Sequence, residues 1–142
     1  MPKNVKTEEQ KKVDIEYKFI HNNTFHALQK LYPLLPKHGT IVVYGIPRGG
    51  LIPATILSHA LEVARPTRLV TSLDHLDPSD WHRLVIVDEL VDSGDTIKSL
   101  KTRFPESITV ALYQRYSAKY SADVVGHVIQ NDDWLVFPWE KL

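Results

Sequence analysis

Two runs of this chain are apolar at every position: Ile41, Val42, Val43 and Tyr44, and Leu84, Val85, Ile86 and Val87. Continuous β-branched runs of this length predict strands buried on both faces of a parallel sheet. Residues 109–113 share that character, and residues 69–72 supply a further strand. Between these runs the period lengthens. Residues 51–61 read as a helix, and Ile97, Leu100 and Phe104 recur at i, i+3 and i+7, which starts another helix near Thr96. Towards the N-terminus, residues 16–20 alternate and predict a strand. Asn22 or Asn23 then caps a helix running towards Tyr32, stopped by Pro33 and Pro36. Residues 1–12 are polar and lysine-rich and are expected to fray. Strands alternating with helices, with no internal repeat or low-complexity linker, specify one α/β domain over residues 1–142, a doubly wound, mainly parallel sheet.

Composition narrows the classes without choosing among enzymes. A chain of 142 residues is long enough to bury a sheet core. Its 17 basic and 17 acidic side chains cancel, so the sequence predicts no footprint for nucleic acid or an anionic membrane. The lack of cysteine removes disulfides and thiolate chemistry and fits a reducing compartment. No apolar stretch approaches a membrane span and the N-terminus has no signal-peptide core, which makes the cytoplasm the default expectation.

The chemistry lies where the buried runs end. Residues 84–87 lead into Asp88 and Glu89, then Leu90, Val91 and Asp92, then Ser93, Gly94, Asp95 and Thr96. In open α/β sheets ligands collect at the carboxyl ends of strands, where these acids fall. Backbone N–H groups at the mouth of the following helix, joined by the Ser93 and Thr96 hydroxyls, would cradle a phosphate. The plainer alternative is a helix cap by Ser93 or Asp95, which explains the loop but not the acids. The other buried run leads into Gly45, Ile46, Pro47, Arg48, Gly49 and Gly50. Arg48 offers a forked cation beside a backbone without Cβ atoms, suited to a pyrophosphate, and an ordinary strand-to-helix turn is the alternative. Residues 73–83 crowd Asp74, His75, Asp77, Asp80 and His82 together, a stretch that reads as a solvated loop rather than a metal centre.

An apolar strand, two acids, a short spacer and a hydroxyl-glycine loop together resemble the motif of the type I phosphoribosyltransferases. Arg48, Gly49, Gly50, Leu51 and Pro53 resemble the pyrophosphate loop of their xanthine-guanine (6-oxopurine) branch, in which a non-proline cis peptide precedes the arginine, here Pro47–Arg48. Trp134, Leu135, Pro138, Trp139 and Glu140 resemble the C-terminal segment that closes a small hood over the base. The likeness covers residues 16–140.

The resemblance implies binding of phosphoribosyl pyrophosphate by Arg48, Gly49 and Gly50 and by Asp88, Glu89, Leu90, Val91, Asp92, Ser93, Gly94, Asp95 and Thr96. Within that set, residues 93–96 take the 5-phosphate, and Asp88 and Glu89 engage the ribose hydroxyls and Mg2+. It implies that Asp92 is the general base at the purine, and that Trp134, Leu135 and Glu140 meet the base; Trp139 reads instead as pinning the tail, as tryptophans near a terminus often do. A stacked indole is worth about 1–3 kcal/mol per base in nucleic-acid sites. Arg115 stands where the branch carries a lysine that donates to the 6-oxo group, with Lys119 as the alternative donor; such a donor disfavours adenine. The N-terminal strand and C-terminal tail, drawn from residues 13–20 and 114–142, are expected to form the hood. The mobile lid of the family is reduced to residues 73–83, with Arg83 a candidate to approach the pyrophosphate. The resemblance further implies transfer of the phosphoribosyl group to a 6-oxopurine (guanine, xanthine or hypoxanthine) with release of pyrophosphate, by a homo-oligomer, a dimer or tetramer. A non-catalytic nucleotide-binding regulator of the same fold is the competing expectation.

Overall fold

The computed structural model of the protein describes residues 10–141, and the fraying expected of residues 1–9 lies outside them. In chain order the strands are β1 (Lys12–Asp14), β2 (Ile41–Gly45), β3 (Thr67–Val70), β4 (Leu84–Val91), β5 (Ile108–Arg115), β6 (Val124–Ile129) and β7 (Trp134–Val136). The helices are α1 (Tyr17–Leu31), α2 (Leu51–Glu62) and α3 (Asp95–Arg103), and 3-10 turns occur at Tyr32–Leu34, Pro78–Arg83 and Pro138–Glu140. Five strands form one sheet in the order β3-β2-β4-β5-β6, every neighbouring pair parallel.

β4 is the axis of this sheet, and all of its residues are buried. Alternate side chains divide between two layers, as a period of two requires. Val43, Val85, Val87 and Val110 face α1 and α2, where Ala27, Leu31, Leu57 and Leu61 meet them. Val42, Leu84, Ile86 and Ala111 face the opposite way, towards Ile97 of α3 and Phe104 just beyond it. Each fully buried Val, Leu or Ile here contributes roughly 1.5–3 kcal/mol, so helices on both faces follow from the unbroken apolar runs.

Several boundaries differ from the sequence expectation. Residues 16–20 are not a strand, because α1 begins at Tyr17. Tyr17 and Phe19 are exposed while Ile20, Thr24, Ala27 and Leu31 are buried, so the helical period governs and the short alternation misleads. Asn22 and Asn23 consequently lie inside the helix, with Glu16 at its N-cap. The N-terminal strand is instead Lys12–Asp14, which pairs in parallel with β7 in a separate two-stranded sheet. Residues 10–12, expected to fray, are tied to the tail: Gln10 donates to the Asp132 carbonyl at 2.6 Å and Trp134 N–H to the Lys11 carbonyl at 2.8 Å.

The shortened segment 73–83 is a docked crossover. Asp77 caps its 3-10 turn by accepting from Ser79 N–H at 2.9 Å, a bond that holds the Asp77 carboxyl below the usual range. Trp81 sets its ring edge-on against Phe104, 5.1 Å between centroids. Arg83 does not approach the pyrophosphate loop. Its Nε donates to the Thr40 carbonyl at 3.0 Å, before the first residue of β2, and its guanidinium pairs with Asp80. That is the opposite end of the sheet from the loops that follow β2 and β4, because the crossover must return to the start of β4. Among the described residues no cluster of three or more His, Asp or Glu side chains is arranged to hold a metal ion. No helix among them is long and apolar enough to cross a membrane.

Candidate active site

Parallel neighbours put the carboxyl ends of β2 and β4 side by side, with Gly45 in register with Val87. The loop after β2 is then pressed onto β4. Ile46 N–H donates to the Val87 carbonyl and Gly50 N–H to the Ile46 carbonyl, both at 2.9 Å. The Pro47–Arg48 peptide is cis, as the resemblance implies. A Cβ on Gly50 would run into the Ile46 and Val87 carbonyl oxygens, so only glycine permits this approach. Gly49 answers to a different neighbour: a Cβ there would overlap the carboxylate of Glu89. The two glycine-marked motifs, forty residues apart in sequence, thus meet at a single point. Arg48 is exposed.

The acids belong to β4 itself, which runs four residues past the predicted end at Val87. Asp88 is 1% exposed and Glu89 9%. Asp88 Oδ1 accepts from the Glu89 N–H at 2.9 Å, which fixes the first carboxylate to the backbone of the second. Leu90 and Val91 turn their side chains into apolar clusters and leave only backbone for a ligand. Asp92 is the first residue beyond the strand and is half-buried. The loop then turns at Gly94, φ 92°, into α3 at Asp95, one residue before the predicted start. Ser93, Asp95 and Thr96 are exposed around the helix N-terminus, and Ser93 Oγ accepts from Asp95 N–H at 3.2 Å. Sequence reasoning missed what supports this loop. The Ser93 carbonyl accepts from the N–H groups of Lys119 and Tyr120 at 2.9 and 3.2 Å, and the Tyr120 carbonyl lies against Gly94 where a Cβ would otherwise be. These are backbone contacts, and residues 119 and 120 carry no signature for them.

β1 and β7 sit over one side of this crevice, seated on an apolar cluster of Ile15, Ile20, Leu90, Leu112, Tyr113, Ile129, Leu135 and Phe137. Tyr113 packs edge-on to Phe137 at 5.8 Å, and its hydroxyl accepts from Asn23 Nδ2 at 2.8 Å. Burial raises the Tyr113 pKa, which the Asn23 bond only partly offsets, so the phenol stays protonated. Trp134 is half-buried on β7 and Leu135 is buried beneath it. Trp139 stacks on Phe137, 5.0 Å apart and 10° from parallel, the pinning role expected of it. Glu140 turns inward on its own segment, Oε1 accepting from Phe137 N–H at 3.0 Å. Arg115, the last residue of β5, contacts Asp92 and the tail carbonyls rather than open solvent: Nε lies 3.2 Å from Asp92 Oδ1. Lys119 is exposed.

No protein-family model matches the chain. Individual proteins do. The xanthine-guanine phosphoribosyltransferase of Cereibacter sphaeroides is 30% identical over 113 residues, covering 69% of this chain and 68% of the relative. This chain belongs to the purine phosphoribosyltransferase family. The enzyme of the same name from Idiomarina loihiensis is 29% identical over 140 residues, 89% of this chain and 85% of that one. Among solved structures, the purine phosphoribosyltransferase of Pyrococcus horikoshii superposes with a TM-score of 0.73 at 26% identity, covering 94% of this chain and 96% of its own. As a purine phosphoribosyltransferase, the chain has the parallel five-stranded sheet expected of the type I fold, with its paired acids and glycine loop at one end.

Proposed function

We propose that this protein transfers the 5-phosphoribosyl group of phosphoribosyl pyrophosphate to N9 of a 6-oxopurine, guanine, xanthine or hypoxanthine, with release of pyrophosphate. The observation that carries the reading is the junction of the Arg48-Gly49-Gly50 loop with the Glu89 carboxylate and the Val87 carbonyl at the ends of β2 and β4, with Asp88 fixed to the Glu89 backbone. It joins a glycine loop that carries a guanidinium to hard carboxylates, a few residues from a helix N-terminus ringed by hydroxyls.

In this reading Ser93, Gly94, Asp95 and Thr96 bind the 5-phosphate and leave the anomeric carbon facing Arg48. The Arg48 guanidinium and the backbone of Gly49 and Gly50 meet the charge that develops on the departing pyrophosphate, a preorganised electrostatic role. Two buried carboxylates beside a loop open to phosphate oxygens suit Mg2+, which keeps few protein ligands, so Asp88 and Glu89 would hold it together with the substrate. When bound, it neutralises charge on the pyrophosphate. Asp92 accepts the purine's ring proton, Trp134 and Leu135 provide the platform for the base, and Glu140 stands close to its edge. Holding both reactants in line removes much of the entropic barrier. The competing regulator reading gains nothing from these relatives, which are named as transferases. A homo-oligomer in the cytoplasm completes the reading, checked by sedimentation of the purified protein and by cell fractionation.

The test is nucleotide formation from phosphoribosyl pyrophosphate and Mg2+ with guanine, xanthine, hypoxanthine and adenine offered separately. Turnover of at least one 6-oxopurine, with adenine at least about tenfold poorer, is expected, since an unsatisfied buried polar group costs about 1–3 kcal/mol. Binding of phosphoribosyl pyrophosphate without turnover of any base overturns the reading.

A further inference from the structure

Arg115 ends β5 with its side chain only 6% exposed, although its neighbour Asp92 is 40% exposed. Its planar guanidinium points in three directions at once. Nε lies 3.2 Å from Asp92 Oδ1, Nη1 donates to the Asn131 carbonyl at 3.2 Å, and Nη2 donates to the Asp133 carbonyl at 2.9 Å. Asn131 and Asp133 form the turn that feeds directly into Trp134, and Asn131 Oδ1 caps that turn by accepting from Asp133 N–H at 3.0 Å. One cation therefore joins the carboxylate at the end of β4 to the backbone immediately before the indole of β7.

We infer that Arg115 is a positioning residue, a strut that sets the orientation of Asp92 and the seat of the Trp134 platform together, and not the donor to the purine's 6-oxo group. The inference rests on the phosphoribosyl-transfer reading, because Asp92 and Trp134 take their roles from it. Three physical facts favour it. A guanidinium donates in its own plane through a rigid fork, so bonds to Asp92, Asn131 and Asp133 fix that plane. Breaking one partner of a buried charge-assisted set leaves polar groups unsatisfied, which makes moving Arg115 towards a base unfavourable. Lysine has a single ammonium and cannot span Asp92 and the turn in the same way, so arginine here changes the task and not only the donor.

The test measures kcat and base KM for Arg115→Gln and Arg115→Lys with each 6-oxopurine, alongside amide hydrogen exchange of residues 131–136. The strut predicts that both variants lose about tenfold in kcat and that base KM rises in both, by a similar factor for each base, because the Trp134 platform loosens with its turn. It also predicts exchange at 131–136 at least about tenfold faster, as local opening becomes cheaper. A base donor predicts a different pattern: base KM rises about tenfold in Arg115→Gln, returns in Arg115→Lys because an ammonium also donates to a carbonyl, and tail exchange is unchanged. Unchanged exchange in both variants, or unchanged kcat in both, overturns the strut. Arg115→Lys keeps the charge and nearly the volume and so decides the matter if Arg115→Gln fails to fold. Should the wild type turn over no base, the transfer reading falls on its own, and the exchange measurement still decides whether Arg115 holds the turn.

Discussion

The crevice at the ends of β2 and β4 and the small sheet beside it are built in contrasting ways. The crevice is made of backbone. Its loops approach so closely that Gly50 and Gly94 have backbone oxygens where a Cβ would stand, and its strands are buried on both sides. The small sheet has three residues in each strand and is held by side chains from elsewhere: Arg115 on its turn, Tyr113 and Leu112 beneath it, Asn23 from α1. A region defined by backbone packing fails abruptly when altered, whereas one held by several separate side chains should loosen by degrees.

Among changes that separate the two regions, the largest effects should therefore fall on the glycines after β2, and the two should fail differently. Gly49→Ala collides with the Glu89 carboxylate, a side-chain group that must shift while the backbone of the loop is spared, so the fold should persist while the carboxylate leaves its place. A loss of about 100-fold in kcat/KM with little change in thermal midpoint is expected, the scale of removing one preorganised charge. Gly50→Ala meets the Ile46 and Val87 carbonyls, which cannot swing, and should cost about 2 kcal/mol of stability, read by urea unfolding. Equal effects of the two on stability would erase the distinction. In the small sheet, Trp134→Ala should raise base KM about tenfold, corresponding to roughly 1.4 kcal/mol of lost stacking, with phosphoribosyl pyrophosphate KM unchanged. Steady-state kinetics with guanine checks it, and a comparable rise for both substrates would speak against a base platform.

The smallest effect lies outside both regions. Asp123 sits just before β6, where burial disfavours its charge, but bonds from Thr109 N–H, from Lys101 and from the Thr109 hydroxyl outweigh that cost and hold its carboxyl below the ordinary range. A depressed folded pKa gives stability that is complete above the unfolded value and is lost as pH falls through the folded one. Asp123→Asn should thus lower stability at neutral pH, by less than about 1 kcal/mol because the carboxyl is more than a third exposed and solvent screens its bonds. The deficit should shrink as pH drops below the ordinary aspartate range, measured by denaturant unfolding across pH. A deficit independent of pH would show that the charge is not what holds this corner.

The same contrast explains what was legible in the sequence. β2, β4, β5 and α2 could be read because apolar continuity and period are local properties, and the crevice followed because its acids and glycines adjoin those runs in the chain. The beginning of α1 was misread, since five residues that alternate by chance carry less information than the buried set Ile20, Thr24, Ala27 and Leu31 spread over three turns. Arg83 could not be placed, because its position depends on where the crossover returns, and no residue near it encodes that. Nor could the two tail partners of Arg115, which lie 16 and 18 residues along the chain and are carbonyls, groups that every residue possesses.

In the phosphoribosyl-transfer reading, the crevice between the loops after β2 and β4 is a reacting centre with Asp92 at its heart. Its most direct test is nucleotide formation by Asp92→Asn beside the wild type, at saturating phosphoribosyl pyrophosphate and with the preferred 6-oxopurine. A fall in kcat of about 10²–10⁴, the scale of losing a general base, is predicted. Equal turnover by the two proteins would contradict it.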